Sequence, residues 1–249
     1  NSALKPPAIL LTYGGGPVQT TPAVYIIFWG YQTYGDANGV QNLLTTYMTN
    51  MGGSGHNNIY TQYYQTSGGV TTYITNPTGQ LAGTWNDQTN KVPAHPTDSQ
   101  VAVEALRGAQ HFGYNPNASY IVATPHGRST SGFRTQWCAY HSAVTHSGKL
   151  VSYTNLPYMP DAGASCGSNI ITPPSDETGA DEGVTIVSGH EQGESATDIN
   201  PPTGWYNNSY GEIGDICAWT NIQNDPFGSD SFTSQPMYSN ASQSCVHSY

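Results

Sequence analysis

Charged residues and long apolar runs are scarce in this chain. Only 9% of its 249 residues are charged, and six Lys and Arg oppose 16 Asp and Glu, which gives a net charge of −10. Nucleic acid and anionic membrane surfaces are poor partners for such a chain because both are bound through Lys and Arg. The longest apolar run, residues 23–29, has the length of a strand and is too short to span a bilayer. We therefore expect an acidic monomer that binds neither.

The four cysteines lack a C-x-x-C pair, which argues against a zinc ribbon or a thioredoxin-like site. Their even number and wide spacing favour two disulfides, for which three pairings exist. We favour the sequential pairing, Cys138 with Cys166 and Cys217 with Cys245, because each bond then closes a loop of moderate length. Each disulfide would contribute about 3 kcal/mol to stability.

Several features predict a secreted protein. Disulfides persist in oxidising compartments, and the low charge content disfavours the alternative of four buried thiols in a cytosolic protein. The chain begins with Asn1 rather than Met, so we expect that a leader has been removed. Asn117, Asn207 and Asn240 lie in N-x-[ST] sequons, which would carry glycans only in a eukaryotic host.

Hydrophobic periodicity predicts one domain over residues 1–249. It divides into an N-terminal arm at 1–21, a β-α-β-α-β half at 22–125 and a loop-rich half at 126–249. The elements expected in order are a strand at 22–30, a helix at 38–52, a strand at 70–75, a surface loop at 76–97, a helix at 98–113, strands at 119–124 and 150–153, and a helix at 181–198.

The segment VSGHEQGESATD, residues 187–198, carries the strongest chemical signal. On a helix, His190 and Glu194 stand one turn apart on the same face, as two ligands of one zinc ion do. Glu191 projects beside them, where a general base can take a proton from metal-bound water. The match to H-E-x-x-H is partial because a carboxylate replaces the second histidine.

The third metal ligand is left open between three candidates. Glu212 follows Glu194 by 18 residues, a spacing known in one class of zincins. Asp198 lies a further turn along the same helix face, and His141 lies near Cys138. We expect Asp215 to orient a ligating histidine. His141 or a tyrosine is expected to stabilise the oxyanion of the reaction. The acidic surface also suits an additional calcium ion.

Other interpretations of the same residues carry less weight. The segment would be an ordinary solvated acidic helix if it stood alone, and Gly189 and Gly193 each weaken a helix by about 1 kcal/mol. Glu191 and Glu194 could be a glycosidase pair, but adjacent turns of one helix rarely place two carboxylates across a sugar. A metal-free acid hydrolase using the carboxyl cluster at low pH is a further alternative.

The chain resembles the phosphate-induced, Exordium-like family of secreted proteins. The motifs that carry this resemblance are TPAVYIIFWG near the start, then C-A-Y-H from Cys138, H-E-x-x-E-x-x-T-D from His190, W-Y from Trp205, E-I-G-D-I-C from Glu212 and a late Cys245. The resemblance implies an extracellular protein in which His141, His190, Glu191, Glu194 and Glu212 form one site. Gln192 and Gly193 depart from the Leu-Ala or Ile-Ala that usually fills the family's helix motif.

Together these observations predict an α/β (α+β) fold, a single zincin-like domain with a mixed sheet, flanking helices, an active-site helix and long disulfide-stapled loops. The expected function is a secreted, zinc-dependent endopeptidase that hydrolyses a protein or peptide substrate. The alternative is a non-catalytic cell-wall, matrix or signalling protein in which the metal site serves structure or binding. An open coordination position distinguishes the two, because catalysis requires one.

Overall fold

The β-branched and aromatic run AVYIIFW forms a strand that is almost entirely buried within a five-stranded mixed sheet. The computed structural model describes residues 8–249. In chain order its strands and helices are β1 (Thr12–Tyr13), β2 (Ala23–Trp29), α1 (Tyr31–Tyr34), α2 (Val40–Asn50), β3 (Tyr64–Ser67), β4 (Val70–Tyr73), β5 (Leu81–Asp87), α3 (Asp98–Phe112), β6 (Ala118–Ala123), β7 (Tyr140–His146), β8 (Lys149–Leu156), α4 (Glu182–Thr197), β9 (Trp205–Tyr206), β10 (Gln223–Phe227), β11 (Asp230–Ser234), β12 (Met237–Ser239) and β13 (Ser244–Val246).

The sheet has the strand order β5-β2-β6-β8-β7. The first four strands run parallel, and β7 closes the sheet as an antiparallel edge strand hydrogen-bonded to β8. Its register places His141 of β7 opposite Thr154 of β8. Four small two-stranded sheets surround this central one. The expected α+β class with a mixed sheet and flanking helices is confirmed.

Helices cover both faces of the sheet because the side chains of a strand alternate between the two faces. Ile26 and Phe28 of β2 belong to the core cluster that includes α2 and α4. Ile27 and Trp29, on the opposite face, belong to the cluster that includes α3. None of the helices within residues 8–249 combines the length and the apolar character that crossing a bilayer demands.

Helix α4 passes through the interior and is buried on nearly all sides. Its glycines allow this close packing. A Cβ atom at Gly189 would lie 2.4 Å from the Tyr47 hydroxyl, and one at Gly193 would lie 2.6 Å from the Tyr60 hydroxyl. The helix propensity lost at these two positions is therefore offset by tight packing against two buried tyrosines.

Both disulfides have the predicted sequential pairing, Cys138–Cys166 and Cys217–Cys245, with Cα–Cα distances of 5.7 Å. The first ties the segment before β7 to the short 3-10 segment Met159–Cys166. The second ties the 3-10 turn Asp215–Cys217 to β13. Two disulfides fit a protein that folds in an oxidising compartment.

The structure corrects several element predictions. The middle strand of the β-α-β-α-β unit is β5, which lies inside the predicted 76–97 loop, because β5 is a half-exposed edge strand with polar residues that resemble a loop. The strand predicted at 70–75 exists as β4, but it is fully exposed and pairs only with β3, so it lies outside the central sheet. The loop-rich half also contains β7 and two hairpins near the C-terminus. The first seven residues of the predicted arm lie outside the described residues.

The sequon asparagines make specific hydrogen bonds in the folded chain. Asn207 Nδ2 donates to the Leu10 carbonyl (3.0 Å), and Asn240 Nδ2 donates to the Leu11 carbonyl (2.8 Å). Asn117 Oδ1 accepts from the Thr20 backbone N–H (3.0 Å). All three side chains thus connect the N-terminal segment to the rest of the fold.

A buried carboxyl pair lies on the α3 face of the sheet, away from the acidic segment of α4. Glu104 of α3 is fully buried beside Asp87 at the end of β5. Burial, together with the hydrogen bond and negative charge of Asp87, raises the pKa of Glu104 to about 9. Burial alone would raise the pKa of Asp87 as well, but hydrogen bonds from Glu104, Asn90 and Thr89 hold it below its usual range. Glu104 therefore stays protonated in the folded chain at neutral pH.

This pair should make the protein more stable in mild acid than in mild base. Between the ordinary Glu pKa of 4.5 and about 9, the folded chain retains a proton that the unfolded chain has lost. The free energy of unfolding therefore falls as pH rises through that window, by up to about 1.4 kcal/mol per pH unit. In urea titrations, the free energy of unfolding of Glu104→Gln, whose side chain stays neutral, should fall between pH 5 and pH 8 by a few kcal/mol less than that of the wild type. The exposed control Asp176→Asn should show the same pH dependence as the wild type. If Glu104→Gln also showed the wild-type pH dependence, the raised pKa of Glu104 would be contradicted.

Candidate metal centre

The second half of α4 presents His190, Glu191 and Glu194 toward the C-terminal segments of the chain. Because His190 and Glu194 are one turn apart, their side chains meet on one helix face, with His190 Nε2 3.1 Å from Glu194 Oε2. The local sequence spacing alone is sufficient to bring these two side chains together.

Gln235 fixes the tautomer of His190. The Gln235 amide nitrogen donates to the carbonyls of Gly214 and Pro236, both at 3.0 Å, so its Oε1 is the atom that faces His190 Nδ1 at 2.9 Å. His190 Nδ1 must then carry a proton and donate it to Gln235. In the neutral ring this leaves Nε2 with a free lone pair, the arrangement found in metal-bound histidines.

His190, Glu194 and Asp215 form a group that can hold a metal ion, with ligand atoms within 4.8 Å of one another. His190 Nε2 lies 3.1 Å from Glu194 Oε2 and 3.2 Å from Asp215 Oδ1. These separations are close to the ~3.4 Å edge of a tetrahedron with ~2.1 Å metal–ligand bonds.

The turn at 214–215 holds Glu194 in place. The backbone N–H groups of Gly214 and Asp215 donate to Glu194 Oε2 at 3.1 and 3.0 Å. A Cβ atom on residue 214 would lie 2.8 Å from His190 Nδ1 and 3.0 Å from Glu194 Oε2. Gly214 is therefore the residue that lets this turn approach both side chains.

His141 lies deeper than His190, with only 2% of its side chain exposed. Its Nδ1 donates to Glu191 Oε2 (3.1 Å), and its Nε2 faces Glu212 Oε1 and the Asp198 carbonyl, both at 3.2 Å. Burial lowers the pKa of His141, but the hydrogen bonds and charges of Glu191 and Glu212 outweigh it and hold the pKa well above the usual value. Since both ring nitrogens face acceptors, His141 is a buried imidazolium.

A second group that can hold a metal comprises His141, Glu191 and Glu194. The three ligand atoms include a ring nitrogen of His141, and both of its nitrogens already face oxygen atoms. Binding a metal there would require His141 to lose a proton that burial among carboxylates stabilises. His190 also faces oxygen atoms with both ring nitrogens; burial lowers its pKa, but the charges and hydrogen bonds of Glu194 and Asp215 outweigh burial and hold the pKa well above the usual value. The group around His190 is the better candidate because His190 and Asp215 line an open cleft, whereas His141 does not.

Glu212 and Asp198 complete the buried layer behind His141. Burial and the nearby charge of Glu194 raise the pKa of Glu212 to about 10. Burial also raises the pKa of Asp198, whose Oδ1 accepts from the Gly204 backbone N–H at 2.7 Å. Glu212 therefore faces both the His141 ring and the Asp198 carboxyl in a region where burial opposes ionisation.

The cluster as a whole has an excess of negative charge. With all its carboxyls ionised and both imidazoles protonated, its net charge would be −3; the carboxyls are those of Glu191, Glu194, Asp198, Glu212 and Asp215. Burying such an excess is costly unless protons or a cation compensate it. A divalent cation at the His190 group would supply part of this compensation.

The candidate metal group opens into a cleft of about 340 Å³. Its lining includes His190, Glu191 and Asp215, whereas His141 is not among the lining residues. Glu191 thus reaches the cleft while His141 holds its other side. The oxyanion role expected for His141 has no support in this geometry, because the imidazole does not reach the cleft.

The structure brings all the predicted site residues together but divides them into two layers. The layer at the cleft contains His190 and Asp215, and the buried Glu194 joins them in one group that could hold a metal. Asp215 is thus the third member of this group, in addition to the candidates that the sequence left open, Glu212, Asp198 and His141. Those three lie in the buried layer. Sequence reasoning missed Gln235, and no local pattern signals it, because it lies 45 residues from His190 in the chain.

The chain matches no family model, no curated protein and no solved structure at a significant level.

Removing His190 or its partner should weaken metal binding. After chelator treatment, His190→Ala should bind zinc at least about 100-fold more weakly than wild type, and Gln235→Leu about 10-fold to 100-fold more weakly, because Gln235 orients the ligating ring. His146→Ala, an exposed histidine at the end of the same strand as His141, is the matched control. Competition with a chromophoric chelator measures each Kd, and unchanged affinity in His190→Ala would place the ion elsewhere.

Proposed function

We propose that this protein is a secreted zinc endopeptidase that hydrolyses protein or peptide substrates through an activated water. The observation that carries the proposal is that Glu191 lines the same cleft as His190 and Asp215. A carboxylate adjacent in sequence to a metal-ligating histidine, on the same helix, is the arrangement that metallopeptidases use.

In this proposal, His190, Glu194 and Asp215 hold the metal, which when bound supplies Lewis acidity and lowers the pKa of water at the site. Glu191 takes a proton from the attacking water and delivers it to the leaving amine. The Glu191 carboxylate can do this because only one of its oxygens is bound to His141.

His141 acts as a positioning residue for Glu191. Its Nδ1–H donates to Glu191 Oε2 at 3.1 Å, which fixes the orientation of the carboxylate. Glu212 and Asp198 hold the other side of the His141 ring. The buried layer thus orients the base without touching the substrate.

The accessible side of the metal group favours catalysis over a purely structural role. Structural zinc sites have four protein ligands, whereas catalytic sites keep a position for water or substrate. Here three side chains converge and the cleft borders the group. The two disulfides support secretion. The zincin-like fold and the Exordium-like resemblance are also part of the proposal.

Glu191→Gln should separate metal binding from catalysis. We expect the variant to retain about one zinc ion per chain but to hydrolyse casein at least about 100-fold more slowly, because the amide cannot accept the proton. Zinc content is measured by elemental analysis and hydrolysis by release of soluble peptides, on the same preparations.

Asp176→Asn removes an exposed carboxylate outside the site and should leave both quantities unchanged. Zinc bound without hydrolysis of casein at any pH would instead favour a structural or binding site. Hydrolysis that survives both a chelator and Glu191→Gln would contradict the proposed mechanism.

A further inference from the structure

Two tryptophans line the cleft beside the candidate catalytic residues. Trp137 and Trp219 share this cleft with His190 and Glu191. Trp219 is 45% exposed, which is unusual for so large an apolar side chain, whereas Trp29 and Trp205 are buried. Exposed indole surface next to a reactive centre is a typical feature of ligand recognition.

Trp219 is held in an unfavourable backbone conformation. Its φ of 57° lies in the left-handed region, which is unfavourable for a bulky residue. Cys217, two residues earlier, is bonded to Cys245, and Thr220 Oγ1 donates to the Cys217 carbonyl at 3.0 Å. The surrounding loop therefore maintains the exposed position of the indole at some cost in stability, as functional sites commonly do.

Trp137 is fixed on a second disulfide-bonded loop. Its backbone carbonyl accepts from the Arg134 N–H (2.8 Å), its N–H donates to the Gly132 carbonyl (3.2 Å), and Cys138 follows it directly. Its ring packs edge-on against Tyr140, with ring centroids 4.9 Å apart. Each of the two indoles is thus positioned by a loop that a disulfide holds.

The remaining lining of the cleft is apolar near α4 and cationic at one point. Ile186 and Val187 lie about one turn before His190 on α4, and Ala139 and Ala218 also line the cleft. Arg134 contributes a positive charge in a chain that has only six Lys and Arg. Polar side chains line the rest of the cleft, namely Thr135, Gln136, Ser165 and Gln235. The apolar contact surface is therefore confined to the two indoles and the few aliphatic side chains beside them.

We propose that Trp137 and Trp219 form a subsite for a large aromatic side chain adjacent to the scissile bond, with Trp219 as the specificity-determining residue. The inference rests on the proposed peptidase function and adds the substrate class. Aromatic pairs gain stability beyond the area they bury, so two indole rings favour Phe or Tyr over aliphatic side chains. A volume of about 340 Å³ is at the lower end for ligand sites and suits a single large side chain with its peptide backbone.

The subsite is tested first by binding, independently of cleavage. N-acetyl-phenylalaninamide should quench the tryptophan fluorescence of the wild type and bind more tightly than N-acetyl-alaninamide. Trp219→Ala should weaken the phenylalanine ligand about 10-fold, and Trp219→Phe should restore much of the affinity. Trp85→Phe is the matched control, because Trp85 stacks on His111 in the α3 layer. Equal binding of the two amides, or no change in Trp219→Ala, would overturn the subsite.

Cleavage then tests whether the subsite serves the reaction. For two peptides that differ only by Phe or Ala beside the scissile bond, Trp219→Ala should lower kcat/KM about 10-fold for the Phe peptide and leave the Ala peptide unchanged. If the amides bind as expected but neither peptide is cleaved, the aromatic site stands and the peptidase function fails. If both peptides are cleaved equally by the wild type, the peptidase function stands and the subsite fails.

Discussion

The rest of the site depends on the hydrogen bonds that the buried imidazolium of His141 makes. It is surrounded by Glu191, Glu212 and the Asp198 carbonyl, and almost no solvent reaches it. Carboxyl groups buried without such a cation would have to take up protons or separate. His141 compensates part of this charge from inside and orients Glu191, which lines the cleft.

Three parts of the chain have to meet for this arrangement to form. The antiparallel edge strand β7 supplies His141, the buried helix α4 supplies His190, Glu191 and Glu194, and the turn at 214–215 supplies Asp215 and two backbone N–H donors. One disulfide anchors the segment before β7, and the other anchors the turn region. The same two covalent links hold Trp137 and Trp219, so the acidic centre and the aromatic walls share one rigid support.

Much of the fold followed from local patterns, and the errors also have physical causes. The sequence predicts α2 and α3 because their apolar residues recur with the helical period and glycines follow them. It predicts α4 from the acidic residues Asp181 and Glu182 at its N-terminus. The sequence does not predict strand β5, because an edge strand needs apolar residues on one face only and its polar residues Asn86 and Asp87 are typical of a loop. Strand β4 is predicted correctly as a strand but does not join the central sheet, because β-branched residues also occur in exposed hairpins.

By itself, the sequence determined the pairing of His190 with Glu194 and the position of Glu191 beside them, because these depend on spacing along one helix. It favoured the sequential disulfides among three possible pairings, because each then closes a loop of moderate length. Only the tertiary structure decided which further carboxylate joins His190 and Glu194 in the candidate metal group. Asp215 and Glu212 are three residues apart, and a single turn points one toward His190 and the other toward His141. Gln235, Trp137 and Trp219 likewise reach the site through contacts between distant segments, which no local periodicity encodes.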